Sequence, residues 1–382
     1  MSKKQPRPPI PEPTQRKLWA KAAGMCQFDS CNEILYRDNL TRKESNLAKI
    51  SHIVAFSPDG PRGDIVKSPL LAKDINNLML TCGVHAKIID DNDKVKDYPE
   101  DLLLKYKREH EERVRRIASI KNDHKTHVLV VGFNILERAG VIDINQVHEA
   151  INQNGHYPDS DEPTIIDINA CVLRDDNATY WAKNTEQIQS DVYNLIKRGN
   201  KGNSYTHLSI FGLAPIPLLM YLGKQIGDII TVEVFNRHRI VENWLWQNME
   251  DESDFQYDVH KPILDRNTKS VALNLSLSNT IHQSEIAQKI GSIPTYTITI
   301  PSPNRTFLKS KLRLEKFKEV FHMVLSEIRS SCADDCKIHL FPAVPVAVAV
   351  ECGRIILPKA DKEIIVYDWS ESNKVFFEGV TL

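Results

Sequence analysis

At 382 residues the chain is long enough for two or three domains, each with its own core. No run of 18 or more apolar residues occurs, and the basic start Met1-Ser-Lys-Lys-Gln-Pro-Arg has no apolar stretch behind it. Neither a membrane span nor a signal peptide is therefore expected. Seven cysteines, an odd number, point to a reducing compartment and a cytoplasmic protein. The net charge of −1 hides an asymmetry: Met1 to Lys125 carries 24 Lys+Arg against 18 Asp+Glu, and the remainder 25 against 32. Polyanion binding is expected in the front third.

Pro6, Pro8, Pro9, Pro11 and Pro13 make an extended lead-in. Thr14 is placed to cap a short helix through Ala23, stopped by Gly24. A turn-rich segment follows to about Asp97. Pro99 to Ile120 reads as a charged helix with sparse apolar points at Leu102, Leu103, Tyr106, Val114 and Ile117, suited to a connector over 99–125. From His127 the texture becomes βα alternation: strands at His127–Phe133, Thr164–Ala170 and Thr206–Phe211, with a helix over Asn184–Lys197. Such alternation predicts a mainly parallel sheet with helices on its faces.

An internal repeat emerges within this part. Leu208-Ser-Ile-Phe211-Gly-Leu-Ala-Pro215, a stretch to Gly223-Lys224 and the strand Ile229–Phe235 form one copy. Ile338-His-Leu-Phe341-Pro-Ala-Val-Pro345, a stretch to Gly353-Arg354 and Glu363–Tyr367 form the other, 130 residues on. With the strand and helix ahead of each, the copies span about 160–240 and 290–370. In open α/β sheets ligands sit beyond the carboxyl ends of strands. The turns ending at Pro215 and Pro345 would present helix N-termini to a ligand with several phosphates. Pro and small residues also simply make tight strand-to-helix turns.

The front segment carries the chemistry. Cys26-x4-Cys31 and Cys82-x2-His85 supply four ligands of the types zinc prefers, in two knuckles, as a closed structural site requires. Two unrelated thiol pairs would explain neither the clustering nor the small core of so short a segment. His52, between apolar neighbours, is a candidate base for an attacking water. Asn77 can fix the loop and orient His52, and Asp90 offers a hard oxygen for Mg²⁺ or Mn²⁺.

These motifs in this order, within about Thr14–Asp97, resemble the HNH endonucleases of ββα-metal fold. The resemblance implies His52 as general base, Asn77 as the middle Asn, and Cys26, Cys31, Cys82 and His85 as the structural zinc set, which leaves a catalytic metal to Asp90, Asn77 or a further group. Arg62, in the turn Asp59-Gly-Pro-Arg-Gly-Asp64, is placed to meet a phosphate. Two positions depart from the family: Ser51 precedes the base, where an acidic or His ligand is usual, and Ala86 stands where the third His of the motif belongs.

An HNH domain (1–98), a helical linker and a duplicated α/β domain (126–382) together resemble the HNH–SAVED effectors of bacterial anti-phage systems called CBASS. The expected fold is thus a zinc-stapled ββα-metal domain joined to a duplicated CARF-like, Rossmannoid SAVED domain. The resemblance implies an endonuclease that degrades double-stranded DNA when a cyclic di- or trinucleotide, cyclic GMP-AMP among the candidates, binds and drives homo-oligomerisation from dimer to tetramer. Expected ligand contacts are the aromatics Tyr205, Phe211, Trp244, Trp246 and Phe341, the turn residues Pro215 and Pro345, and the cations Lys224, Arg237, Arg239 and Arg354. Val241 to Met249 reads as a helix, on which at most one of Trp244 and Trp246 would touch a ligand. A constitutive restriction-type HNH endonuclease with a C-terminal DNA-reading domain is the alternative, and the acidic remainder counts against it. A zinc-stapled binding module without catalysis is a third reading that Ser51 and Ala86 allow.

Overall fold

The computed structural model describes residues 8–91, 93–121, 124–133, 142–168, 178–199, 205–247, 252, 254–357 and 360–382. Expectations for Pro6, for the strand end at Asn169–Ala170 and for residues 248–249 lie outside the described residues. The chain forms two compact units, Met1–Ile120 and Lys121–Leu382. Among the described residues no helix is long and apolar enough to cross a membrane.

The front unit contains α1 (Glu12–Lys21), β1 (Lys49–His52), α2 (Lys67–Leu71), β2 (Leu78–Thr81), α3 (Gly83–Ile88) and α4 (Glu100–Ala118). Helix α1 begins earlier than Thr14, because Pro11 and Pro13 preset φ for its first turn and Pro11 O accepts from Thr14 N at 3.0 Å. Gly24 ends this segment at φ +66° with its N–H donated to Trp19 O, and a Cβ there would meet the Tyr36 ring at 2.9 Å. Strands β1 and β2 pair antiparallel, His52 opposite Leu78 and Ser51 opposite Met79. The period of two splits β2 between two small cores. Leu78 and Leu80 join Leu18, Ala22, Cys26, Leu35 and Cys82, while Met79 joins Ile53, Ile89 and Leu103.

Helix α4 was expected as a connector and instead packs as part of the front unit. Leu103 enters one of the two cores, and His110 Nε2 donates to Ala22 O at 3.0 Å. Lys107 is buried and pairs with Glu111, which also accepts from Lys21 at 3.0 Å and Gln27 at 3.2 Å. A sparse apolar stripe among charges was enough to dock the helix, because the buried charges are paired.

The rear unit opens with β3 (Lys125–Phe133), α5 (Ile144–Gln153), β4 (Tyr157–Pro158), β5 (Thr164–Ile168), α6 (Ala178–Gly199), β6 (His207–Leu213), α7 (Ile216–Ile226) and β7 (Thr231–Phe235). It continues with β8 (Asp258–His260), β9 (Ser270–Ser276), α8 (Gln283–Ile290), β10 (Thr295–Thr299), α9 (Lys311–Ser331), β11 (Lys337–Ala343), α10 (Val346–Ile355), β12 (Glu363–Ser370) and β13 (Val375–Thr381). The first sheet runs β5-β3-β6-β7, all parallel, with β4 on the start of β3. The second runs β10-β9-β11-β12, also parallel, with β8 and β13 added antiparallel at its edges. The two orders are the same once β3 is matched with β9, β5 with β10, β6 with β11 and β7 with β12. The repeated unit is therefore longer than 160–240 and 290–370: each copy starts one βα unit earlier, with the strand that becomes the sheet's centre. Val128 to Val131 are all buried, as expected of a strand covered on both faces.

The glycines of the repeat have a packing reason. A Cβ on Gly223 of α7 would lie 2.0 Å from Val350 O, and one on Gly353 of α10 would lie 1.8 Å from Met220 O. The two helices thus cross backbone to backbone, each with its repeat glycine against the residue three before the other's. Leucine-rich α7 and valine-rich α10 are buried along most of their length for the same reason.

Candidate functional site

In the front unit the two knuckles meet. Cys26, Cys31, Cys82 and His85 each bring one ligand atom, all within 4.8 Å of one another. His85 Nδ1 lies 3.1 Å from Cys82 Sγ and 3.7 Å from Cys26 Sγ. The ring is oriented by Phe28, from between the first two cysteines, which stacks on it at 4.1 Å and 8°. Cys82 caps α3, its sulfur accepting from His85 N, so helix start and second knuckle are one local structure. Burial pushes the Cys26 thiol up to about 12 and raises that of Cys82. Three sulfurs and an imidazole nitrogen fit a tetrahedral Zn²⁺, whose charge would offset the burial of thiolates.

His52 ends β1 and is 7% exposed. Its Nε2–H donates to Ala72 O at 3.0 Å. A carbonyl can only accept, so in the neutral ring Nε2 holds the proton and Nδ1 is the basic nitrogen. Asn77 is 4% exposed and closes the loop that runs from β1 to β2. Its Oδ1 accepts from Val54 N at 2.8 Å, and Nδ2 donates to Val54 O at 2.9 Å and Leu71 O at 3.2 Å. Both amide hydrogens are thereby spent on the loop, which makes Asn77 a positioning residue for the segment that follows His52.

Arg62 was expected to meet a phosphate; the structure turns it inward. Its Nε donates to Ile53 O at 2.6 Å, Nη1 to Ile89 O at 2.5 Å, and Nη2 to Asp90 Oδ1 at 2.8 Å, with the side chain only 7% exposed. A backbone at φ +55° aims it this way. One guanidinium thus connects the backbone of the residue after His52 to the Asp90 carboxylate. Asp90 keeps a 46% exposed side chain and is the front unit's hard-oxygen candidate. Ser51 is no substitute ligand: its hydroxyl bonds Thr81 Oγ1 at 2.7 Å in the interior.

In the rear unit the expected ligand residues do not converge. Phe211 and Phe341 are fully buried and stack on Phe235 and Tyr367, each pair at 4.4 Å and 9°. Trp244 closes the edge of Phe211 at 5.2 Å, as Phe376 closes that of Phe341 at 4.9 Å. The phenylalanines of the repeat are thus a duplicated core motif with no ring face open to a base. Trp244 and Trp246 are buried, at 1% and 5% exposed. Residues 239–242 form a turn closed by the bridge His238↔Asn243, and 244–247 continue without regular structure in place of the expected helix. Tyr205 stacks on His127 at 4.1 Å, two residues ahead of β6. It stands at the opposite strand end from Pro215, roughly 20 Å away along an extended strand.

The cations divide likewise. Arg354 pairs with buried Glu351 at 2.8 Å and donates to Gly227 O at 3.2 Å. Arg237 bonds Gln146 and Glu242 O and lies over the Trp244 ring at 5.6 Å. Arg239 is exposed, and burial alone draws the half-buried Lys224 below the ordinary lysine range. Pro215 and Pro345 do occupy the matching N-cap positions of α7 and α10, without a side-chain cap on either helix. A depression of about 540 Å³ beside α7 is lined by Trp181, Thr185, Tyr221, Lys289, Phe377 and Gly379, none of which the sequence pattern singles out.

Residues 188–382 match the family described as the SMODS-associated and fused to various effectors sensor domain, SAVED. The match covers the second half of the chain, and the chain belongs to the SAVED family. No curated protein matches it. Among solved structures it is similar to the Acinetobacter baumannii Cap4 SAVED/CARF-domain containing receptor with the cyclic trinucleotide 3'3'3'-cAAA, at 13% identity and TM-score 0.45, over 84% of this chain and 71% of that one. The same receptor with 2'3'3'-cAAA gives 12% and 0.44, over 76% and 64%. The Moraxella osloensis Cap4 receptor gives 12% and 0.42, over 81% and 66%. In two of these three structures the chain spans less than two thirds of the receptor's length.

Proposed function

We propose that the protein is a DNA endonuclease that stays idle until a cyclic di- or trinucleotide binds its rear unit, and that it degrades double-stranded DNA in bacterial anti-phage defence. The observation that supports this reading most is the pairing of two things in one chain. One is a rear unit from a family of sensor domains fused to effectors. The other is a front unit whose β1–β2–α3 segment carries His52 and Asn77, beside a converging set of three cysteines and a histidine and an exposed Asp90 carboxylate.

In this reading Cys26, Cys31, Cys82 and His85 hold a structural Zn²⁺ and do not take part in cleavage. His52 takes the proton of the attacking water on Nδ1, and the carbonyl of Ala72 keeps the ring in the required tautomer. Asn77 holds the chain beyond His52 in place. Asp90 is the residue that would hold Mg²⁺ or Mn²⁺, a set of one carboxylate completed by water and substrate phosphate, as is usual for Mg²⁺. When bound, such an ion supplies positive charge to the phosphate and the leaving oxygen. Arg62 holds Asp90 in place from below and leaves DNA contact to other basic groups of the front unit. Ligand binding selects the active assembly by its higher affinity for that state.

The test is a DNA-degradation assay on the full chain with Mg²⁺ or Mn²⁺, across a panel of cyclic di- and trinucleotides, with molecular mass followed alongside. Cleavage is expected with one or a few of the ligands, with a rise in mass. His52→Ala should lower the rate by about 10²- to 10⁴-fold, with a thermal melt to show that the variant is folded at the assay temperature. Full cleavage without any ligand would sink the sensor reading. No cleavage under any condition, or undiminished cleavage by His52→Ala, would sink the nuclease reading.

A further inference from the structure

At the start of the first sheet, away from the turns at Pro215 and Pro345, three side chains from three segments converge. His156 precedes β4, His207 opens β6 and Glu233 lies in β7; each offers one ligand atom, all within 4.8 Å of one another. Register explains the meeting. His207 is paired with Thr231 and Ser209 with Glu233, so the two side chains stand on the same face of adjacent parallel strands.

The cluster is incompletely satisfied. Glu233 is 5% exposed; Lys311 pairs with its Oε1, but its Oε2 has no hydrogen-bond partner. His156 Nδ1, 4.0 Å from that oxygen, is likewise buried and without a hydrogen-bond partner. A buried acceptor left unpaired costs about 1–3 kcal/mol, and more when it is charged. His207 Nδ1 is hydrogen-bonded to Thr126 Oγ1 at 2.8 Å, and in the tautomer in which Nδ1 donates, Nε2 has its lone pair for a metal. Its ring lies against that of His156, 4.1 Å between centroids. Lys311 is 54% exposed on its side chain, so it can yield its place on the carboxylate to solvent without being stranded.

We propose that His156, His207 and Glu233 form a transition-metal site, taking Zn²⁺, that ties the loop before β4 to β6 and β7. Two imidazoles and one carboxylate are the donor set of zinc, whereas Mg²⁺ and Ca²⁺ select oxygen alone. Metal–ligand bonds of about 2.0–2.2 Å require His156 Nδ1 and Glu233 Oε2, now 4.0 Å apart, to draw together and the two stacked imidazoles to turn toward the ion. Among the described residues the second sheet has no such cluster: the matching strand start is Lys337, paired with Glu363 at 2.7 Å. One zinc per chain is therefore expected here, separate from any held by the cysteines.

The experiment is metal analysis of the full-length protein, dialysed against Zn²⁺ and then against metal-free buffer, beside His156→Gln and Glu233→Gln. Each variant should lose one zinc equivalent relative to wild type and bind its replacement about tenfold or more weakly. With Co²⁺, the variants should lose bands of a nitrogen–oxygen site and keep any sulfur-to-metal absorption of the cysteine set. His156 is partly exposed, so its variant should fold even where Glu233→Gln does not; a thermal melt reports this directly. Equal zinc content in wild type and folded His156→Gln would overturn the proposal, whatever the cysteine site or the nuclease does.

Discussion

The front and rear units hold themselves together in different ways. The front unit has two small cores, seven buried residues in one and four in the other, and the first includes Cys26 and Cys82 of the Cys/His cluster. The rear unit has a large apolar core that includes the Phe211–Phe235 pair, a smaller cluster around the Phe341–Tyr367 pair, and a helix crossing made possible by two glycines. Small domains that cannot bury enough surface need a staple, and larger ones do not. In the rear unit the recurring residues Phe211, Phe341, Gly223 and Gly353 serve packing.

The sharpest break in that comparison is metal removal. Chelation, or Cys82→Ser, should unfold the front unit and leave the rear unit folded, because a structural zinc contributes on the order of 10 kcal/mol at neutral pH. Limited proteolysis should then degrade residues up to about 120 and spare the remainder; a front unit that resists would show that its cores suffice. In the rear unit Phe341→Ala should cost about 3–5 kcal/mol, the range for a large buried ring. A small change with gain of ligand binding would instead reveal a ring that opens to a base.

Gly223→Ala and Gly353→Ala each push a methyl into backbone less than or about 2 Å away, and each should cost about 1–3 kcal/mol, the range for overpacking. Their near-equality is the informative part, since the crossing is symmetric; a cost confined to one would mean that the helices can slide apart. The smallest effect is a pH dependence in the front unit. Burial holds His110 below the ordinary histidine range, so the unfolded chain takes up its proton first. This contribution is full above about pH 6.5 and is lost as pH falls from there toward the lower folded value. His110→Gln, which keeps a donor for Ala22 O, should flatten the decline of stability between neutral pH and pH 5 in urea melts.

The front site was legible to a large extent because its ligands sit in short local spacings. Cys26 and Cys31, like Cys82 and His85, are each close enough in sequence that one turn places them together, and β1–β2 pairing only has to join the two knuckles. Arg62 was misread for the opposite reason. A basic residue in a glycine-rich turn suggests an exposed phosphate contact, but its direction is set by a positive φ and by carbonyls 9 and 27 residues away. Helix α4 misled similarly, since its buried Lys107 and His110 look like a solvated face until Glu111 and Ala22 are placed against them.

The sequence by itself determined the βα alternation, the repeat at 130 residues, the proline caps of α7 and α10 and the two ligand knuckles, all of which depend on neighbours along the chain. Only the tertiary structure decided which of these residues are available to other molecules. Phe211 and Phe341 recur because each caps a stacked pair inside a sheet, and Gly223 and Gly353 recur because two helices touch through them. The His156–His207–Glu233 cluster left no trace in the chain order, since parallel strands separated by crossover helices bring together residues far apart in sequence. Burial is a property of long-range packing, and a repeat read along one dimension shows that a residue matters without showing which way it faces.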